Sequence, residues 1–446
     1  MYGRRRTGKT FLVKEFFKNR FSFYISGLAN ATQEEQLENF ASALSFYGQT
    51  PYSRAKSWLE AFRQLVHLLE NDKKRRKKVI FIDELPWFDA PRSGFITGLE
   101  WFWNSWASAR PEILLIVCGS ATSWMINKLL NNRGGLHNRV THRLWLEPFT
   151  LAECEQFFKH KKIDFDRKSI VESYMVFGGI PFYLNLFEKG LSVAQNVDKL
   201  CFTKKSELKD EFLLLYSSLF KNSENYVALI CALAKKKMGL TRDEIVAESG
   251  LSDGGTLSKM LEELEQCSFI RSYNAFGKKT KERLFQLIDF YSLFYLSFVK
   301  NAKQTGDNFW ASQIDTARHR AWSGYAYEQV CLWHIVQIKK KLGISGVSTQ
   351  VFSWRSRNKD NGAQIDLIIR RNDRVTNVCE IKFANKEFVI DKKYDEILRN
   401  KKYTFIEETK LHDAVHLTML TTYGVQQNAY WNSVQAEVVM NDLFEK

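Results

Sequence analysis

Glycine, four variable residues, a second glycine, then lysine and threonine follow one another at Gly3-Arg4-Arg5-Arg6-Thr7-Gly8-Lys9-Thr10, and very few backbones satisfy that spacing. The glycines allow a tight turn in which successive N–H groups face one point, and a helix that starts there adds its positive end, so the turn holds an anion. In a loop of this type the lysine reaches the β- and γ-phosphates of a nucleotide, and the final hydroxyl reaches Mg²⁺. Gly3, Arg6, Thr7, Gly8, Lys9 and Thr10 are therefore candidate ATP-binding residues, and Thr10 is also a candidate metal ligand.

A second pattern supports the first. Val79-Ile80-Phe81-Ile82-Asp83-Glu84 is an apolar run that ends in two acids. At the end of such a strand Asp83 is placed to hold magnesium, and Glu84 to polarise an attacking water. Another apolar run, Ile113 to Val117, leads into Cys118-Gly119-Ser120; Ser120 either senses the γ-phosphate or simply closes the strand. Arg139 and Arg143 lie beyond the next helix, each either an arginine finger across the interface of a homo-oligomer or a surface charge, with Arg139 preferred. Apolar strands separated by helices predict an α/β core with a parallel sheet covered on both faces. A phosphate loop ordinarily follows a buried strand, yet only Met1 and Tyr2 precede Gly3. The first strand reads as missing: either the start is truncated or misassigned, or this copy is impaired in holding ATP.

The 446 residues exceed what one hydrophobic core supports. Four parts are expected: an ATPase core over 1–149, a helical lid over 150–219 where strand signals vanish, a third part over 220–300 and a fourth over 301–446. In the third, helices at Tyr226 to Lys236, Thr241 to Glu248 and Thr256 to Gln266 precede two β-runs around Phe276-Gly277-Lys278-Lys279. That is the order of a winged helix-turn-helix. Lys259 and the turn Lys278-Lys279-Thr280-Lys281 would grip a phosphate backbone, whereas Glu262, Glu263 and Glu265 would repel it if they faced the groove. A formal charge of +15 favours polyanions, and double-stranded DNA is the natural partner. The run Lys73-Lys74-Arg75-Arg76-Lys77-Lys78 is equally the solvated end of a helix. Seven scattered cysteines without a Cys-x-x-Cys pair fit a reducing cytoplasm and no structural zinc. Leu284 to Val299 is too short and too interrupted to span a membrane, and reads as a buried aromatic helix.

Near the C-terminus, Gln364-Ile365-Asp366-Leu367-Ile368-Ile369-Arg370 and Val378-Cys379-Glu380-Ile381-Lys382 flank Asn372-Asp373-Arg374. If that turn holds three residues, Asp366 stands opposite Glu380, with Lys382 two residues along on the same face. Carboxylates that hold Mg²⁺ beside a lysine are the chemistry of phosphodiester cleavage. Glu328, on a helix expected from Trp322 to Lys341, adds a third carboxylate. The bland alternative is a surface hairpin with a salt bridge that joins Lys382 to Glu380 or Asp366.

The run Tyr2 to Thr10, Phe81-Ile82-Asp83-Glu84, Cys118-Gly119-Ser120, Arg139 and Phe177-Gly178-Gly179-Ile180-Pro181 together resemble the prokaryotic archaeal-type ATPases, relatives of the signalling branch of the AAA+ class. The resemblance implies a helical lid whose Gly179-Ile180-Pro181 segment brings Pro181 toward the nucleotide base, followed by a winged helix and a nuclease-like domain. The order of Glu328, Asp366 and Glu380-Ile381-Lys382 likewise resembles the restriction-endonuclease-like nucleases, with their Asp-xn-Glu-x-Lys motif. It implies Asp366 and Glu380 as metal ligands and Lys382 as a catalytic cation.

Overall fold

The computed structural model describes residues 1–73, 77–131, 134–136, 138–274, 276–277, 283–302, 308–356 and 363–445. The chain forms two bodies, one of Met1–Glu147 with Ser218–Lys221 and one of Pro148–Ser217 with Asn222–Lys446.

In the first body the elements run α1 (Lys9–Phe16), β1 (Phe23–Ser26), α2 (Gln33–Gly48), α3 (Trp58–Asn71), β2 (Lys78–Asp83), α4 (Phe95–Ser105) and β3 (Ile113–Val117). The strands form a parallel sheet in the order β1-β2-β3. In β2, Val79 to Asp83 are all buried, because helices cover both faces and no residue of the run is turned to water. One core gathers Phe40, Phe62, Ile80, Ile82 and Phe102; the opposite face gathers Val13, Phe21, Val79 and Phe81. Ser57 caps α3 by accepting from Glu60 N–H, and Thr32 and Glu35 form a reciprocal capping box on α2.

The expected loss of the first strand is refined here. Tyr2 bridges in parallel to both Gly119 and Trp145, so Met1-Tyr2 sits as a two-residue strand stub beside β3.

In the second body, helices fill 151–201. Helices Ser223–Leu233, Arg242–Ser249 and Gly255–Gln266 then precede β4 (Ile270–Tyr273) and β5 (Leu284–Leu287). These two strands pair antiparallel, and Leu240 bridges to Phe285 as a third short rung. The single helix expected from Leu284 to Val299 is corrected: its start is β5, and a helix begins only at Phe290, capped by Asp289, which accepts from Ser292 N–H. A continuous apolar run carries no period by which strand and helix are told apart.

The C-terminal part begins with the helix Ala317–Trp333, which ends at His334 before a second helix, Ile335–Lys341. The strands that follow are β6 (Thr349–Arg355), β7 (Gln364–Arg371), β8 (Val375–Lys382), β9 (Ala414–Thr421) and β10 (Ala436–Val439). They form one sheet in the order β10-β9-β8-β7-β6. The pairs β6/β7 and β7/β8 are antiparallel, β8/β9 and β9/β10 parallel. The helix Lys392–Thr409 makes the crossover between β8 and β9. No described helix is long and apolar enough to cross a membrane.

Candidate functional site

The phosphate loop is built from unusual backbone. Gly3 has φ 136°, Arg6 φ 71° and Gly8 φ 85°, which turns the loop so that α1 begins at Lys9. A Cβ on Gly3 would lie 2.4 Å from the Leu146 carbonyl oxygen, so only glycine fits there. Thr7 Oγ1 donates to the Arg4 carbonyl at 2.8 Å, holding the loop closed on itself. Lys9 is buried, and its Nζ donates to the Gly3 and Arg4 carbonyl oxygens at 2.9 and 2.6 Å. A buried ammonium needs such partners, and the lysine thereby lies across the cradle that its motif forms.

The two sequence patterns meet at one contact. Thr10 Oγ1 donates to Asp83 Oδ2 at 2.7 Å, although 73 residues separate them. Asp83 Oδ1 accepts from Glu84 N–H at 3.0 Å, and Glu84 turns the chain with φ 45°. The Glu84 carboxylate accepts from the Ser120 N–H and hydroxyl at 2.8 to 3.2 Å. Lys9, Thr10, Asp83, Glu84 and Ser120 thus line the loop end of the sheet, where β2 and β3 finish. Burial, with the Asp83 carboxylate next in effect, pushes the Cys118 thiol well up, so it stays neutral. Arg139 lies exposed in a turn and Arg143 is also exposed. Pro181 belongs to the second body, where it opens the short helix Pro181–Asn185.

The register read from the turn holds between Arg370 facing Thr376 and Leu367 facing Cys379; Asp366 and Glu380 are the residues directly beyond that last pair. Glu380 is not on a surface hairpin: it is 6% exposed. Its carboxylate binds Lys382 Nζ at 3.0 Å, Lys401 Nζ at 2.7 Å and the Tyr394 hydroxyl at 2.5 Å. Burial pushes Glu380 up, but Lys401 and Lys382 outweigh it and hold the acid below its ordinary range. Burial lowers Lys382, and the Glu380 carboxylate and Tyr394 more than reverse that, leaving the ammonium raised. Gln364 Nε2 donates to Asp366 Oδ1 at 2.7 Å.

Glu328 lies on the helix Ala317–Trp333. Burial, then the Asp366 carboxylate, push it up to about 8, against the ammonium groups of Lys237 and Lys382. One expectation is corrected: among the described residues no three His, Cys, Asp or Glu side chains lie close enough to hold a metal together. Glu328 feels the charge of Asp366 and Glu380 without forming a three-carboxylate ligand set with them. Lys401 and Tyr394 were not legible in the sequence, since they reach Glu380 from the crossover helix Lys392–Thr409, across a loop that carries no motif.

Of the acids on the helix Gly255–Gln266, Glu263 accepts from the Tyr226 hydroxyl, and Glu265 accepts from Ser272 and pairs with Arg283 at 3.5 Å. Two of the three expected repulsions are thereby taken up inside the module, while Glu262 accepts from Gln266 at the surface. Lys259 is exposed, 3.9 Å from Glu263. The turn Lys278-Lys279-Thr280-Lys281 lies outside the described residues, as do Lys74, Arg75 and Arg76.

With this geometry in view, the first part of the chain finds its relatives. Residues 1–187 match the profile of an ATPase domain found predominantly in Archaea. An uncharacterized protein of Methanocaldococcus jannaschii is 24% identical over 420 residues, covering 93% of this chain and 89% of its own length. Among solved structures, the Walker-type ATPase PABY2304 of Pyrococcus abyssi superposes with a TM-score of 0.47 at 18% identity, over 67% of this chain and 90% of that one. Cdc6p from Pyrobaculum aerophilum gives 0.29 at 15% identity, over 66% and 86%.

Proposed function

We propose that the protein binds and hydrolyses MgATP at the loop Gly3 to Thr10 and uses the nucleotide state to direct action on double-stranded DNA. The observation that carries the reading is the 2.7 Å contact between Thr10 and Asp83. It brings the hydroxyl of one motif and the carboxylate of the other to the point where a phosphate-bound cation is shared. The residues fit the group: Lys9 supplies the ammonium, Thr10 and Asp83 the oxygens for magnesium, and the backbone from Arg6 to Thr10 the donors. Bound magnesium would offset charge on the phosphate oxygens. For ATP to bind, Lys9 exchanges its two loop carbonyls for phosphate oxygens. Glu84 then serves as the base for water, and Ser120 fixes that carboxylate through two donors. Arg139 is assigned as the finger of a neighbouring copy, and Pro181 as a contact to the base.

The four-part division at 149, 219 and 300 goes with this reading, the third part acting as a winged helix that seats the molecule on the duplex. A second reading concerns the fourth part. Burial of Glu380 between Lys382, Lys401 and Tyr394 favours a restriction-endonuclease-like site. There Asp366 and Glu380 would hold a divalent ion, Lys382 would orient the attacking water, and Glu328 would hold a proton. Its rival is a regulator that binds DNA without cutting it.

The experiment is paired. Labelled ATP is titrated into wild type and Lys9→Ala, and plasmid is incubated with Mg²⁺ or Mn²⁺ beside Lys382→Ala. Binding lost only in the first variant supports the nucleotide site. Plasmid left equally intact by wild type and Lys382→Ala under every nucleotide condition removes the nuclease reading and leaves the ATPase one standing.

A further inference from the structure

The turn that follows the helix Ser223–Leu233 brings Lys237 and Met238 against the hairpin of β4 and β5. Gln286 of β5, opposite Arg271 of β4 and 4% exposed, makes the junction. Its Oε1 accepts from Arg271 Nε at 2.7 Å, and its Nε2 donates to the Lys237 carbonyl at 2.6 Å. The hydroxyl of Tyr325, also buried, donates to the same carbonyl at 3.0 Å. The Tyr273 hydroxyl donates to the Met238 carbonyl, and the Arg271 guanidinium lies over the Tyr273 ring at 5.0 Å. One buried amide thus fixes the backbone that carries one cation and the side chain of another.

What the two cations lack is an acid. Lys235 pairs with Glu248 at 2.7 Å and Lys236 with Glu244 at 2.5 Å, but the next lysine, Lys237, sends its Nζ to the Ala321 carbonyl at 2.8 Å and stands 5.3 Å from the Tyr325 ring. Burial lowers Arg271, and only Tyr273 and Tyr325 act against it. Among the described residues neither Lys237 nor Arg271 forms an ion pair. Two cations that both reach Tyr325 without a counter-charge are costly to hold unless an anion completes the set. With Nε committed to Gln286, the two Nη groups of Arg271 remain as a planar fork that matches two oxygens of a phosphate, and Lys237 adds a point charge. Tyr325 precedes Glu328 by one turn on the helix Ala317–Trp333, about 5–6 Å along one face, and the Lys237 charge reaches Glu328.

We propose that Lys237 and Arg271 seat a backbone phosphate of nucleic acid and lead that strand from the third part of the chain toward the site of Asp366 and Glu380. The seat rests on the DNA reading above but not on cleavage, since it holds a strand whether or not the strand is cut. Its two side chains come from a turn and from β4, so the hairpin contributes to binding through the face that it turns to Tyr325, apart from the helix Gly255–Gln266.

The test measures binding of a labelled DNA duplex to the full chain, in EDTA and over a series of salt concentrations. Wild type is compared with Lys237→Gln, Arg271→Gln, Arg271→Lys and Lys189→Gln, the last an exposed lysine of the same body that controls for charge alone. Lys237→Gln and Arg271→Gln each weaken binding by about tenfold or more and lower the slope of log affinity against log salt by about one. Arg271→Lys restores the slope and not the affinity, because an ammonium keeps the charge and loses the fork; a role in packing alone would not separate the two. Lys237 is exposed, so Lys237→Gln decides the matter if Arg271→Gln melts early. Binding by both Gln variants equal to that of Lys189→Gln overturns the seat and leaves the DNA reading standing, whereas no binding by wild type removes both. Displacement of the duplex by millimolar inorganic phosphate from wild type, but not from the doubly substituted Lys237→Gln, Arg271→Gln chain, would give the seat to free phosphate and overturn its assignment to a strand.

Discussion

Replacing Glu328 by Gln removes an ionisable group while keeping its shape, and the structure fixes both the sign and the size of the effect. In the folded state burial and the Asp366 carboxylate raise this acid from 4.5 to about 8. Unfolded, it ionises in the ordinary carboxylate range. Below about pH 4.5 the acid is protonated in both states and costs nothing. As pH rises, the unfolded chain gives up the proton while the folded chain keeps it, so the unfolded state gains. At about 1.4 kcal/mol per pH unit the wild type loses about 1 kcal/mol by pH 5, about 3 by pH 7 and about 5 by pH 9, after which the loss is constant. Glu328 keeps some solvent contact, so these figures are ceilings, and half of each is still measurable. Glu328→Gln should therefore unfold at higher urea than wild type at pH 7 and 9, with near coincidence at pH 4.5, all in EDTA so that no cation competes. A stabilisation that is the same at every pH would refute the reasoning, because a packing effect has no pH dependence. So would a loss of stability at pH 9.

Lys9→Ala should weaken ATP binding by about 10- to 150-fold, the range for hydrogen bonds to a charged group, as read by equilibrium titration; unchanged affinity would remove Lys9 from the site. Glu84→Gln keeps an acceptor oxygen for the Ser120 N–H and hydroxyl and loses the base, so it should bind ATP normally and turn over about 10² to 10⁴ times more slowly; a phosphate-release assay decides. His334 is fully buried, accepting from Leu151 N–H at 3.0 Å and bonded to the Val330 carbonyl at 2.8 Å. Burial lowers it to about 4. Its stabilising share is complete above about pH 6.5 and is lost as pH falls toward 4, up to about 3 kcal/mol; an imidazole signal that titrates near pH 6.5 in the folded protein would contradict this.

What the sequence discloses and what it hides follow the range of the forces involved. β2 is legible because a strand buried on both faces reads as an unbroken apolar run, and β3 because Ile113 to Val117 are apolar throughout, although Leu114 is exposed. The β7/β8 register is legible because Asn372-Asp373-Arg374 separates two such runs by a turn that fixes their pairing. Where an apolar run has no period, at Leu284 to Val299, the assignment rests on length and goes to the wrong element until Asp289 is seen to cap a helix. The same limit hides Lys401 and Tyr394. The crossover helix Lys392–Thr409 buries only Asp395, Leu398 and Phe405, so its inward face carries almost no pattern. The two groups that hold Glu380 ionised are placed by the crossover rather than by any spacing to it. Met1-Tyr2 is the extreme case: two residues have no periodicity at all, and their strand character comes from the edges of β3 and the 144–146 segment on either side. A motif names the atoms that meet a phosphate; which neighbours hold those atoms in place is decided by the sheet.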